Sequence, residues 1–329
     1  MHRDSITLKR ITQPILEDIK LFQKEFEHAI KSEVRLINSI SKFLIRNRGK
    51  NIRPILTLFS SRLCGEPTKN SYRAAAMMEI LHIATLVHDD VVDEATLRRG
   101  NPSINMIWKN KLSILMGDYL LSKALINMIS LKDFDALEKI SNTAEKLSAG
   151  EILQIEKSIT RSMTEEVYFE MISQKTASLF ATSCELGAIT TTKSRKDRQA
   201  THAYGQNFGI AFQIKDDIFD LLGSENDTGK NGNGDIKKNM ITLPLIFSKN
   251  NMSKKENRYL KRLIDKKHKN KGVLSQIRGI IENAGGVGYA FKKIDEFSNK
   301  AIDAISSYPD SPIRQSMHDL VAFNVSRIK

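Results

Sequence analysis

Apolar residues recur at helical spacing along almost the whole chain, whereas the alternating, β-branched runs that build strands are scarce. A chain patterned this way folds as an all-α protein. Helices are expected over 14–30, 33–47, 53–64, 71–95, 104–129, 133–158, 164–190 and 196–223, then over 243–250, 254–267, 273–283, 288–307 and 311–327. Pro14 and Pro54 stand where a first helical turn accepts proline. The conspicuous loop is Ser224 to Met240, SENDTGKNGNGDIKKNM, whose Gly and Asn residues favour turns. Its length and polarity make it a candidate lid over a charged ligand. No Pro/Gly/Ser-rich linker divides the chain, so residues 1–329 are read as one domain.

With 40% hydrophobic residues among 329, the chain can bury a large core, which excludes disordered, collagenous and disulfide-scaffold classes. The N-terminus lacks the apolar stretch of a signal peptide, and no segment approaches a run of about 20 apolar residues, so a cytoplasmic location is expected. Cys64 and Cys184 sit in apolar helical patterns without metal or CxxC spacing, as reduced structural thiols would. The formal net charge of +13, concentrated in runs such as KRLIDKKHKNKG at 261–272, suits anionic partners: nucleic acid, anionic lipid or phosphorylated small molecules. That run reads first as a solvated helix face and loop. No zinc-finger or RNA-recognition signature accompanies the charge, which disfavours nucleic acid.

Acids interrupt the apolar pattern in two places. In LHIATLVHDDVVDEATLRRG, Asp89 and Asp93 lie one turn apart on one face, with Asp90 beside them. GIAFQIKDDIFDLLG repeats the spacing with Asp216, Asp217 and Asp220, and Gln213 shares their face. Two such clusters among Ile, Leu, Val and Phe would repel strongly if unpaired, so something cationic should hold them. Mg²⁺ is the natural candidate, a hard ion commonly shared between carboxylates and substrate phosphates. The lack of a His/Cys cluster argues against zinc. Basic residues complete the pattern: Lys50 and Arg53 before a helix, Arg98 and Arg99 after the first cluster, Lys175 with Thr176 in SQKTASLF, and Lys230 in the glycine-rich loop. Together they could neutralise two diphosphates. His82, nearly two turns before Asp89, points to the same side.

The ordered set GKNIRP, HDDVVDEATLRRG, GDYLL, QKT, FQIKDDIFD, GK and TLPL, from Gly49 to Leu245, resembles the trans-isoprenyl (polyprenyl) diphosphate synthases, and among them the long-chain, octaprenyl type. The resemblance implies a single-domain helical bundle around a central cavity, the isoprenoid synthase fold, usually as a homodimer. It also implies Mg²⁺ chemistry with three ions, in which isopentenyl diphosphate is added repeatedly to an allylic diphosphate such as farnesyl diphosphate. Asp89, Asp93 and Asp216 would be the main metal contacts, supported by Asp90, Asp217 and Asp220. Asp89, Asp93, Asp216, Lys175 and Arg98 would carry the catalysis. Arg98, Lys175, Thr176, Gln213 and Lys230 would contact the allylic substrate. Lys50, Arg53, His82 and Arg99 would bind isopentenyl diphosphate. Such a product would serve as a quinone side chain and could bring the enzyme to a membrane periphery.

The pattern is not matched throughout. Asn233 replaces a glycine, Gly234 an acid, and Met240 the second lysine of the usual GKxxGDDL…EGKxTLPL stretch, which puts one phosphate contact in doubt; Lys237 or Lys238 could compensate. Product length should exceed C20, at C30–C40, because the position five residues before Asp89 is Ala84. In this family a bulky aromatic there acts as a floor. Leu81, Ile80 and Met77, on the preceding turns, would narrow the tunnel or act as ordinary core. Two alternatives remain: a noncatalytic or regulatory subunit of a heteromeric synthase, or a shorter-chain geranylgeranyl or farnesyl diphosphate synthase.

Overall fold

The computed structural model describes residues 7–98, 100–222, 240–266 and 269–327. Among them the chain is helical almost throughout. The elements are α1 (Leu8–Ile11), α2 (Leu16–Ala29), α3 (Arg35–Arg46), α4 (Ile52–Cys64), α5 (Lys69–Val92), α6 (Ile104–Ile129), α7 (Phe134–Thr160), α8 (Glu165–Ile172), α9 (Ser178–Ile189) and α10 (Arg195–Leu222). After the undescribed stretch come α11 (Leu243–Asn251), α12 (Lys254–Ile264), α13 (Lys271–Asn283), α14 (Gly286–Ala304) and α15 (Pro312–Ser326).

Local chemistry accounts for where these helices begin. The side chains of Asp133, Thr164, Ser253, Asn270 and Ser311 accept hydrogen bonds from otherwise orphaned first-turn amides of α7, α8, α12, α13 and α15. Pro54, Pro244 and Pro312 sit in first turns, where no amide proton is required. Pro14 instead falls in a three-residue 3-10 turn, Gln13–Ile15, that leads into α2.

Three features were not expected from sequence. Leu8–Ile11 adds a single turn at the start. A two-stranded antiparallel hairpin, β1 (Leu97–Arg98) and β2 (Asn101–Pro102), follows α5. The helix expected over 164–190 is broken by a five-residue π segment, Ser173–Ala177, between α8 and α9.

The main core joins α2, α4, α5, α6, α7, α9 and the first half of α10 around Leu56, Phe59, Met77, Leu120, Phe180 and Phe208. Ala84, Leu81, Ile80 and Met77 all belong to it, each at most 2% exposed. A second cluster packs α8, the second half of α10, α11 and α14; a third holds α12 and α13 against Leu221 and Leu245. Helix α6 is, by length and composition alone, apolar enough to cross a membrane, contrary to the sequence expectation. It packs along α5 through Ile104, Met116, Leu120, Ala124 and Met128, and its apolar character comes as much from its outer face. There Met106, Ile107, Ile114, Leu115, Ile126 and Ile129 are exposed. Cys64 and Cys184 are free thiols, and burial pushes them up to about 11 and about 12.

Candidate active site

Asp89 and Asp90 lie in the last turn of α5, and Asp93 is its C-cap rather than a residue within a helix running to 95. The three are graded in depth: Asp90 is buried, Asp89 half-buried and Asp93 exposed. Asp90 is held from the hairpin, where Arg98 Nε donates to its two carboxylate oxygens at 2.7 and 2.9 Å. Arg98 Nη2 lies 2.7 Å from Asp90 Oδ1. Gly100, at φ +77, supplies the left-handed turn that folds Arg98 back onto the helix end. Burial pushes the Asp89 carboxyl up to about 6, against the pull of the Lys175 ammonium, while Glu151 pushes in the same direction as burial.

The second cluster lies in the last two turns of α10. Asp217 is buried and receives Tyr168 Oη at 2.6 Å and Gln213 Nε2 at 2.7 Å. Burial raises its carboxyl, and those two donors partly offset the rise. Asp216 is paired with Arg327, the C-cap of α15, whose guanidinium lies over the rings of Phe212 and Phe219 at 4.6 and 5.2 Å.

Between the clusters stands the π segment, which carries Lys175 and Thr176. Thr176 Oγ1 donates to Gln213 Oε1 at 2.7 Å, extending the chain of hydrogen bonds to Asp217 and Tyr168. Lys175 acts on the other side: it pairs with Glu151, donates to Gln154 Oε1 at 2.8 Å, and stabilises the charge on Asp89. Gly150 permits the approach, since a Cβ there would lie 2.7 Å from the Lys175 amide nitrogen. Gln154 Nε2 also reaches Met240 Sδ at 3.4 Å, so the residue replacing the family's lysine rests on the support of Lys175.

Beside Asp216 a cavity of about 570 Å³ brings together Arg48, Lys50, Arg53, His82 and Arg327 with Glu79. Arg53 Nη1 lies 2.9 Å from His82 Nε2 and its guanidinium lies over Phe180 at 4.6 Å. Burial first, and Arg327 second, lower the Lys50 ammonium, as expected of cations crowded around a space for an anion. The expected grouping of Lys50, Arg53 and His82 is therefore assembled. Arg99 and Lys230 lie outside the described residues, as do Asn233, Gly234, Lys237, Lys238 and nearly all of the candidate lid.

Arg327, Tyr168, Glu151, Gln154 and Glu79 join the site without having been singled out in the sequence. Gln154 and Glu151 occupy one face of α7 at i, i+3, a polar interruption of its pattern that sequence could have flagged. Among the described residues no three acidic, imidazole or thiol side chains already converge as a metal cage. Mg²⁺ does not require one, because it keeps waters and shares phosphate oxygens. The donor set is all oxygen, and burial disfavours the charged form of Asp89, which a bound cation would restore. These residues fit a hard divalent ion.

The family model described as Polyprenyl synthetase matches residues 34–281. The all-trans-nonaprenyl-diphosphate synthase (geranyl-diphosphate specific) of Rhodobacter capsulatus is 34% identical, with 97% of this chain and 98% of that protein aligned. The octaprenyl diphosphate synthase of Escherichia coli K12 is 29% identical over 98% and 99%. Component 2 of the heptaprenyl diphosphate synthase of Bacillus subtilis is 34% identical over 71% of this chain and 68% of that one. Among solved structures, a polyprenyl synthase from Caulobacter crescentus CB15, complexed with calcium and isoprenyl diphosphate, superposes with a TM-score of 0.91 at 30% identity, covering 98% of each chain. A geranylgeranyl pyrophosphate synthetase from Pyrococcus horikoshii gives 0.89 at 29%, over 97% of this chain and 99% of that one. Two aspartate-bearing helix ends joined through a lysine–threonine π segment, beside a cation-lined cavity, thus sit in a chain that belongs to the polyprenyl synthetase family of prenyltransferases.

Proposed function

We propose that the protein is a Mg²⁺-dependent long-chain trans-polyprenyl diphosphate synthase that adds isopentenyl diphosphate repeatedly to an allylic diphosphate such as farnesyl diphosphate. The observation that carries this reading is the division of cations into two groups. Lys175 and Arg98 stand with the first aspartate cluster, and Lys50, Arg53, His82 and Arg327 line the cavity beside the second. Two groups suit two diphosphates.

The first group holds the allylic diphosphate and stabilises charge as its C–O bond breaks. Asp89, Asp93 and Asp216 would hold Mg²⁺, three ions by family resemblance, which would supply the remaining neutralisation of the pyrophosphate. The second group fixes isopentenyl diphosphate so that its double bond attacks the allylic cation. A C–C bond forms, a proton leaves to pyrophosphate, and the product is an allylic diphosphate five carbons longer. Phe180, Phe208 and Phe212 pack into one aromatic cluster beside the cavity, which keeps water from the cation. Incubating the purified chain with Mg²⁺, farnesyl diphosphate and labelled isopentenyl diphosphate, then sizing the products, tests reaction and length together. No elongation would sink the proposal.

A product of C30–C40 is supported by Ala84, a small side chain on the α5 stripe that also carries Met77, Ile80 and Leu81. Each further isoprene unit needs roughly one more turn, about 5.4 Å, of unobstructed path. Ala84→Phe should shift products towards C15 or C20 while the first condensation survives. Unchanged lengths in an active variant would refute the assignment. The exposed apolar faces of α6 and α7, including Ile126, Ile129, Ile152 and Ile159, support a homodimer, checked by sedimentation equilibrium. The likeness to a heptaprenyl synthase component favours a second reading, a chain that needs a dissimilar partner. Activity of the isolated chain separates the two.

A further inference from the structure

Helix α12 is amphipathic in an uneven way. Leu260 and Leu263 are buried against α13 and Leu221, in the cluster that also holds Val273, Leu274 and Ile277. At about 100° per residue, Lys254, Lys255, Arg258, Lys261 and Arg262 fan over an arc of about 120° on the opposite side. All five are exposed, and Lys266 continues the face beyond the helix end. The local acids do not balance them. Glu256 turns back to accept from the Ser253 amide and hydroxyl at 2.9 and 2.7 Å, and Asp265 is paired with Arg161 at 2.8 Å. Among the described residues, no ion pair involves the six cations. Tyr259, half exposed, borders the basic arc. Arg278 Nε donates to the Leu221 carbonyl at 3.0 Å, which fixes the α12–α13 pair at the end of α10 where Asp216, Asp217 and Asp220 lie.

We propose that the outer face of α12 is a docking surface for an anionic membrane. A convex helix face with five aligned cations and a bordering aromatic ring matches a plane of acidic headgroups. Charge complementarity alone would also admit nucleic acid; the choice of lipid rests on the proposed function. A polyprenyl diphosphate of thirty or more carbons is an amphiphile that partitions into bilayers, so an enzyme held at the lipid surface releases it where it is soluble.

The test uses the full chain and vesicles of phosphatidylcholine with or without roughly one-third phosphatidylglycerol, followed by co-sedimentation. Wild type should bind the anionic vesicles, release at high salt and ignore the neutral ones. The combined variant Lys254→Gln, Lys255→Gln, Arg258→Gln, Lys261→Gln and Arg262→Gln should bind about tenfold less or weaker still. Its helical circular dichroism and its turnover of water-soluble substrates should remain as in wild type. Equal vesicle binding by variant and wild type, or none by wild type, overturns the proposal. So does duplex DNA binding that depends on the same five residues while vesicles are ignored. A salt-dependent rise in the variant's KM for diphosphates without vesicle binding would make the face a steering device and also overturn it. Binding is read without turnover, so an inactive chain that still binds anionic vesicles would fail the proposed reaction and leave the docking face standing.

Discussion

The two aspartate clusters are spelled alike and built differently. In each, the second acid of the pair is the buried one, Asp90 on α5 and Asp217 on α10. Asp90 is satisfied by a charge, the guanidinium of Arg98 from eight residues further along the chain. Asp217 is satisfied by neutral donors, Tyr168 and Gln213. The outer acids differ again: Asp93 is exposed at a helix end, whereas Asp216 is capped by Arg327 from the far end of the chain. The shared motif therefore specifies the outward carboxylates, and each neighbourhood solves the problem of the inward one separately.

The largest expected effect tests what the clusters share. Asp89→Ala or Asp216→Ala should lower turnover by about a hundredfold or more while helical circular dichroism is retained, because each removes an outward oxygen donor and leaves the apolar scaffold. Near-normal turnover in either would break the pairing of the clusters.

The next effect tests the difference. Asp90→Asn strands a partly buried guanidinium and should cost about 2–3 kcal/mol of stability. Asp217→Asn loses only part of a neutral network and should cost about 1 kcal/mol. Urea unfolding of both variants decides it, and equal losses would mean that charge at the buried position is immaterial.

Proton competition sharpens the comparison further. Asp89 titrates near 6 rather than 3.8 because burial disfavours its charge. Without metal, the folded state therefore holds this proton more tightly than the unfolded one, and stability contributed here is lost as pH rises from about 4 through about 6. With Mg²⁺ the trend reverses, since the ion binds the deprotonated form; apparent affinity should fall up to about tenfold per pH unit below 6. Calorimetric titration at several pH values would show it, and a flat profile would remove Asp89 from the ion's ligands. Smallest is Arg327→Gln, which should lower half-saturating Mg²⁺ about twofold by releasing a competing cation from Asp216. Weaker Mg²⁺ binding would show that the guanidinium assists the ion instead.

Sequence was most informative where a residue's role follows from its own helix. The apolar stripes of α5, α6 and α10 placed those helices to within a few residues, and the aspartate spacing marked two faces. It was silent where partners come from elsewhere in the chain. Arg327 stands 111 residues from Asp216, and Tyr168 stands 49 from Asp217. Neither carries a local signature, because an arginine at a helix end and a tyrosine in an apolar stripe are ordinary. The hairpin was hidden for a similar reason: two-residue strands leave no alternation to read. The π segment left no trace either, since its hydrogen bonds reach one residue further without any change of composition.

That segment also sets the relative rotation of its two flanks. One surplus residue within a turn shifts the angular phase of α8 against α9 by roughly 100°. Tyr168 can thus look towards Asp217 while Phe180 and Cys184, further along the same rod, look into the main core. A continuous α-helix could aim one of these sets correctly but not both. Deleting a single residue between 173 and 177 would yield a more regular helix and a misaligned enzyme, with no atom of the aspartate motifs changed.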